Sequence, residues 1–413
     1  MSTKRNPAIF FIFITIVIDV LGIGIIIPVL PKILLELTGK GLSEASQLSG
    51  YLMASYAVMQ FVFSPIIGGL SDKYGRRPVI LASLFGFFLD YMILVYAPTM
   101  AWLFVGRILA GITGASFTTA TAYIADISNN ENRSKNFGMV GAAFGLGFII
   151  GPPIGGILGS IGTRVPFMFA AGLALINALY GYFILPESLS KENRRAFDWK
   201  RANPVGSLKN LGRYPALLGL VGALFCLQIA GQTHPSTWSY FTMKVFSWNS
   251  DQVGWSLAFV GLIVAIVQGG LNRIINPKIG DRNSVIIGLL FYGVGFILFS
   301  LATKGWMMYI FMVPFGLGGI AGPALQSLIT KQVAPNEQGE LQGGITSLQS
   351  LTTIIGPLVA SNLFSYYSDG KDHFQFPGAA FFMAGVLTFV ALGIALKSFP
   401  KRQENNQEII VEA

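Results

Sequence analysis

Three stretches of this chain, residues 45–71, 136–163 and 214–243, contain no Asp, Glu, Lys or Arg. Each is longer than the ~20 apolar residues that carry a helix across a hydrocarbon layer ~30 Å thick. Ordinary soluble domains cannot hide three such runs. The composition agrees: 53% of the residues are hydrophobic, 11% are charged and the mean hydropathy is +0.61. The solvent for most of this surface is lipid.

The same reading along the chain predicts twelve spans, near 8–31, 46–70, 78–97, 100–125, 136–160, 165–185, 214–240, 251–272, 284–303, 305–330, 341–365 and 376–397. Backbone polar groups in lipid must pair within their own segment, and no ten-residue alternating pattern of a barrel occurs, so the spans are expected to be helices. The first is too long for a cleaved leader and lacks a small-residue processing site.

Basic residues fix the expected orientation. If the spans alternate, one side collects 21 of the 28 Lys and Arg residues, from Lys4 and Arg5 through Lys73, Arg76, Arg77 and the 191–213 cluster to Lys401 and Arg402. The other side holds Lys32, Lys40, Arg164, Lys244, Lys304 and Lys371, and Arg107 lies inside a span. Both termini are therefore expected to be cytoplasmic. The net charge of +9 reflects this topology and gives no reason to expect a nucleic-acid partner. A single cysteine, Cys226, leaves no disulfide framework and no cysteine metal site.

The chain also repeats itself. "GGLSDKYGRRP" (68–78) has a degenerate twin in "GGLNRIINPKIGDRNSVI" (269–286), Trp102 answers Trp306, and "IIGPPIGG" (149–156) answers "IIGPLVAS" (354–361), at offsets of 201 to 205. Two six-span halves in parallel orientation are predicted, with a binding site near mid-membrane between them. The expected boundaries are 1–186, a cytoplasmic linker at 187–213, 214–398, and a tail at 399–413.

Four stretches resemble signatures of the major facilitator superfamily, in its twelve-helix drug:proton antiporter group. They are "GGLSDKYGRRP", "FVGRILAGITGASFTTATAYIAD" (104–126), "GFIIGPPIGG" (147–156) and "DVLGIGIIIPVLP" (19–31). "WNSDQVGWSLAFVG" (248–261) and "GGIAGPALQSLIT" (318–330) resemble the tetracycline-efflux branch, whose acidic residue in the ninth helix is replaced here by Tyr292. The resemblance implies an all-α integral membrane protein of two six-helix bundles in the cell inner membrane. Its implied activity is export of a lipophilic, drug-like compound in exchange for protons. The partners are then a small molecule and the bilayer, the coupling ion is the proton, no other cofactor is needed and the unit is a monomer. Proton-coupled uptake of a nutrient is the alternative on the same fold. An enzyme is not indicated: two distant His and one Cys provide no nucleophile–base set.

Ionisable groups inside spans cost several kcal/mol, roughly 2.5 or more each, and therefore mark function. Asp19, Asp90, Arg107 and His234 are the candidates for proton coupling. Asp19 is the first choice for the proton, with Arg107 as modulator. Asp90 fits three roles: substrate contact, proton carrier or partner of Arg107. Around the 68–78 loop, a cytoplasmic latch is expected in which Asp72 pairs with Arg76, which also reaches Asp126, with Arg77 beside them. Topological anchoring alone explains the basic residues but not Asp72. In the fifth span, Pro152 and Pro153 should bend the helix, while Gly147, Gly151, Gly155 and Gly156 admit a close neighbour. Tyr56, Gln60, Tyr123, Gln228, Trp238, Gln326 and Gln349 are candidates to line the cavity, and no metal site is expected.

Overall fold

The computed structural model describes residues 5–114, 116–128, 133–199, 203, 206, 208, 211–334, 337–369 and 374–399. Every long element among them is a helix. The first group runs α1 (Arg5–Ile26), α2 (Leu30–Thr38), α3 (Leu42–Tyr74), α4 (Arg76–Tyr96), α5 (Met100–Thr113), α6 (Ser116–Ile127), α7 (Arg133–Ile161) and α8 (Val165–Ile184). After the connection come α9 (Leu218–Phe246), α10 (Ser250–Ile266), α11 (Asn272–Ser300), α12 (Gly305–Leu317), α13 (Ala321–Thr330), α14 (Gln338–Asp369) and α15 (Ala379–Ser398). Among the described residues, nine helical stretches are long and apolar enough to cross a membrane. The more polar α9, which carries Gln228, Gln232 and His234, and α14 are not among those nine.

The expected spans fall on these helices, with two departures in how they are cut. The first span is interrupted: α1 stops at Ile26 and α2 restarts at Leu30, because Pro31 occupies an early helical position where its missing N–H is tolerated. The eighth and ninth spans are joined rather than separated. A π-helical segment, Val267–Leu271, links α10 to α11, and the chain turns inside α11 at Gly280, whose φ of 77° is a left-handed value open to glycine.

Local chemistry fixes several helix ends. Asn249 and Gln252 form a reciprocal capping box at the start of α10. Gly39 closes α2 in the left-handed conformation. The guanidinium of Arg164 donates to the carbonyls of Leu94, Val95 and Ala97, taking up acceptors at the end of α4 that have no helical partner.

Within the first group, α1 packs against α7 and α8, and α4 against α5 and α8; within the second, α15 packs against α9 and α11. The groups are joined chiefly by two helix pairs, α3 with α14 and α7 with α10, and more lightly by α3 with α9. Both pairs touch most tightly away from the basic loops. Gly50 meets Ser361 and the carbonyl of Pro357, and Gly156 meets the backbone of Ser250 and Asp251. At the basic end a cavity of about 480 Å³ separates Phe61, Gly68 and Asp72 from Gly343, Thr346 and Ser350. The groups are thus sealed at one end and parted at the other.

Candidate functional site

A second cavity, about 300 Å³, lies between the groups in the middle of the bundle. Its apolar wall includes Ile23, Ile26, Leu52, Phe87 and Phe148, and its polar side chains include Tyr56, Asp90, Arg107, Gln232 and Tyr240. An apolar chamber with few directional groups suits a compact, lipophilic ligand.

Asp90 and Arg107 define its electrostatics. Arg107 Nη2 donates to Asp90 Oδ2 at 2.5 Å, and the Asp90 side chain is almost wholly buried. Neutralisation by pairing is what makes such charges tolerable away from water. The match is incomplete, because Asp90 Oδ1 and Arg107 Nε are buried without a hydrogen-bond partner. The pair beside the chamber therefore keeps one acceptor and one donor without a partner, the Asp90 Oδ1 lying against Gly106 of α5.

Asp19 is half-buried on α1, one turn before Gly22, against which the Tyr91 hydroxyl packs. It lies within electrostatic reach of Tyr56 and Tyr91, both of which line the chamber. Asp90 and Arg107 thus line the chamber, while Asp19 stands outside its lining, near two of the tyrosines that do line it.

His234 is placed differently. Only 8% of it is exposed, its Nε2 has no partner, and its ring lies against Trp238 at 4.5 Å and stacked on Phe315 at 5.2 Å. Tyr292 stacks at 4.8 Å on Phe315. The chamber's own wall is reached from this helix by Gln232, Pro235, Ser239 and Tyr240.

Of the expected cavity residues, Tyr56 lines the chamber, and Gln60 supports it by donating to the Tyr56 hydroxyl and to the carbonyl of Gly114. Tyr123 and Trp238 do not line it. Both are fully buried, and their polar ends find partners elsewhere: Tyr123 donates to the Pro186 carbonyl and Trp238 to Ser256. Gln326 donates to Gln342, joining α13 to α14. Gln228 on α9 and Gln349 on α14 are half-buried and outside the chamber's lining.

In the 68–78 loop, Asp72 and Arg76 come together with Asp126. Arg76 Nη1 approaches Asp72 at 2.6 Å and also donates to Ser71, while Nε reaches Asp126 at 3.1 Å. All of these residues belong to the first group. Arg77 donates to the Tyr182 carbonyl. Sequence reasoning missed Glu187, whose carboxylate accepts the backbone N–H groups of Arg76 and Arg77 at the start of α4. A helix that begins with two arginines needs a nearby anion, and the acid closing the sixth span was the available signal.

In α7 the helix continues through Pro152 and Pro153, and the glycines sort by face. Gly147, Gly151 and Gly155 lie four residues apart and press on α1 at Val20, Gly24 and Ile25. Gly156 and the carbonyl of Pro152 press on α10, at Ser250 and Gly254. One motif thus fixes a contact inside the first group and a contact between the groups. Among the described residues, no cluster of three His, Cys, Asp or Glu side chains could hold a metal ion.

Comparison with known proteins brings these features together. The Major Facilitator Superfamily model matches residues 12–278 and 223–410. The class C tetracycline resistance protein of Escherichia coli is 40% identical over 362 residues, 88% of this chain and 91% of that protein. Multidrug resistance protein 2 of Bacillus subtilis (strain 168) is 30% identical over 403 residues, 96% of each. The solved structure of the human organic anion transporter MFSD10 (TETRAN) is similar with a TM-score of 0.69 at 23% identity, covering 95% of this chain and 100% of that one. A D-xylose-proton symporter gives 0.76 at 16% identity, covering 96% and 98%. At these identities the two structures bear on the fold alone.

Proposed function

This chain belongs to the major facilitator superfamily, and from that premise we propose that it exports a lipophilic, drug-like compound in exchange for protons. The observation that carries the reading is the chamber between the groups, apolar except for a few polar side chains and fronted by an incompletely matched Asp90–Arg107 pair. The similarity to tetracycline and multidrug resistance proteins supports the direction of transport.

In this reading residues 1–186 and 214–398 form two bundles that rock about the chamber, joined by the linker at 187–213. The protein lies in the cell inner membrane as a monomer, with both termini and the 399–413 tail in the cytoplasm. The basic end is then cytoplasmic, and the conformation is open inward and sealed outward. Substrate enters from the cytoplasm or inner leaflet and rests against the apolar wall, with a polar group beside the Asp90–Arg107 pair.

Asp19 is the proton carrier. When the outer seal formed by Gly50, Gly156 and their neighbours parts, water reaches the chamber and the carboxylate gains a proton. When the inner mouth opens it releases the proton to the cytoplasm. Each proton moving inward releases ~2.3 kcal/mol per 100 mV of membrane potential. The Asp72–Arg76–Asp126 network is the latch, rigidifying the loop that must meet the second bundle when the inner mouth closes.

Tyr292, stacked on Phe315 outside the chamber's lining, supplies no charge to the chamber, so recognition of a charged substrate group falls to the first bundle. Transport by the purified protein in liposomes tests the proposal. A panel of lipophilic compounds that includes tetracycline is offered under an imposed pH gradient. Accumulation of a panel member against its gradient, driven by an acidic lumen, is expected. Accumulation driven only by an alkaline lumen would select uptake instead.

A further inference from the structure

The second group contains its own version of the cytoplasmic clamp, built with opposite charges. Gly75 and Gly280 are 205 residues apart, and both hold left-handed φ, 106° and 77°, with ψ of 161° and 160°. The residue after each glycine starts the next helical run: Arg76 in the first group and Asp281 in the second. Arg76 reaches Asp126 at 3.1 Å, and Asp281 accepts from Lys331 at 2.6 Å. Asp126 and Lys331 are again 205 residues apart.

The next residue repeats as well, without exchange. Arg77 lies over the Tyr182 ring at 5.8 Å, and Arg282 lies over the Phe399 ring at 5.0 Å. In each group the cation rests on an aromatic residue at the end of that group's last helix.

The exchange has an electrostatic reason. Backbone N–H groups at a helix start favour an anion. Arg76 cannot supply one, so Glu187 accepts the N–H groups of Arg76 and Arg77. Asp281 brings the negative charge itself and also accepts from the Ser327 hydroxyl at 2.7 Å. A sequence comparison that looks for an acid at the Asp72 position finds Pro277 and sees no counterpart.

We propose that Asp281 and Lys331 are positioning residues for the transport cycle, a charge-exchanged clamp that locks the cytoplasmic ends of α11 and α13 together so that the second bundle moves as one body when the inner mouth closes. Lys331 is two-thirds exposed while Asp281 is 17% exposed, and the exposed cation limits what the pair adds to folding stability. Its effect belongs to the conformational equilibrium.

The proposal rests on the transporter reading above, but its test needs no substrate. In a Cys226→Ser background, Ser250→Cys places a thiol beneath Gly156 in the outer seal, where only the outward-open state exposes it. The full-length protein in membranes is treated with an impermeant maleimide. Asp281→Lys and Lys331→Asp are each expected to slow labelling about fivefold or more. The exchanged double variant, Asp281→Lys with Lys331→Asp, should label faster than either single variant and return to within about threefold of the parent, and the melting temperature of Lys331→Asp should be little changed. Where a reversed single variant does not accumulate, Asp281→Asn or Lys331→Gln gives the same reading. Single variants that label at the parent's rate, or a double variant as slow as the singles, would overturn the clamp. Failure to find a transported compound would count against the function and not against this result.

Discussion

The side-chain amide of Gln47 donates to Asn362 Oδ1 at 2.7 Å, tying α3 to α14 at the end of the molecule opposite the basic loops. Three residues along α3, Gly50 lets the same two helices touch, because any Cβ there would collide with Ser361. Gly50→Val should therefore prop the outer seal open. Overpacking of this kind costs about 1–3 kcal/mol. Maleimide labelling of Ser250→Cys is expected to rise at least about fivefold, and labelling no faster than in the parent would show that α3 and α14 do not form the outer gate.

The buried ion pair separates two roles that look alike in a static structure. Arg107→Gln strands the Asp90 carboxylate and should cost about 3–5 kcal/mol, read as a fall in melting temperature. Adding Asp90→Asn removes the stranded charge and should restore most of the loss. Transport should not return with it, because the neutral pair no longer offers a charged acceptor to the chamber. A double variant that recovers both stability and transport would reduce the pair to a structural bridge.

Gly75 and Gly280 share a backbone conformation but not their surroundings. A Cβ on Gly75 would run into the Glu187 carboxylate, whereas nothing lies within 4 Å of one on Gly280. Alanine at either position incurs the strain of a left-handed backbone, of order 1 kcal/mol or more. Only Gly75→Ala also displaces the acid that caps α4. Thermal denaturation should rank Gly75→Ala below Gly280→Ala; the reverse order would remove Glu187 from the account.

Much of this was legible in the chain because lipid leaves few choices. Uncharged runs had to be helices, and glycines four residues apart in "GFIIGPPIGG" had to meet a close neighbour, which the structure identifies as α1 and, one residue further round, α10. The pairing of Arg76 with Asp72 and Asp126 was equally readable, since a cation beside these acids has few other partners. What sequence could not supply was facing. Tyr123 and Trp238 carry the same polar tips as Tyr56, yet they turn into the bundles toward Pro186 and Ser256, a choice made by helix rotation rather than residue type. The exchanged clamp was hidden for a different reason: pairing depends on opposite charge, and either order of the two charges satisfies it.

The role given to Asp19 is tested most directly by following lumenal pH in liposomes loaded acid-inside while a transported compound is added outside. The intact protein should alkalinise the lumen as the compound enters. Asp19→Asn should still bind the compound but move no protons with it, while Asp90→Asn loses binding affinity first. Substrate-linked proton movement that persists at the parent's rate in Asp19→Asn would contradict the account.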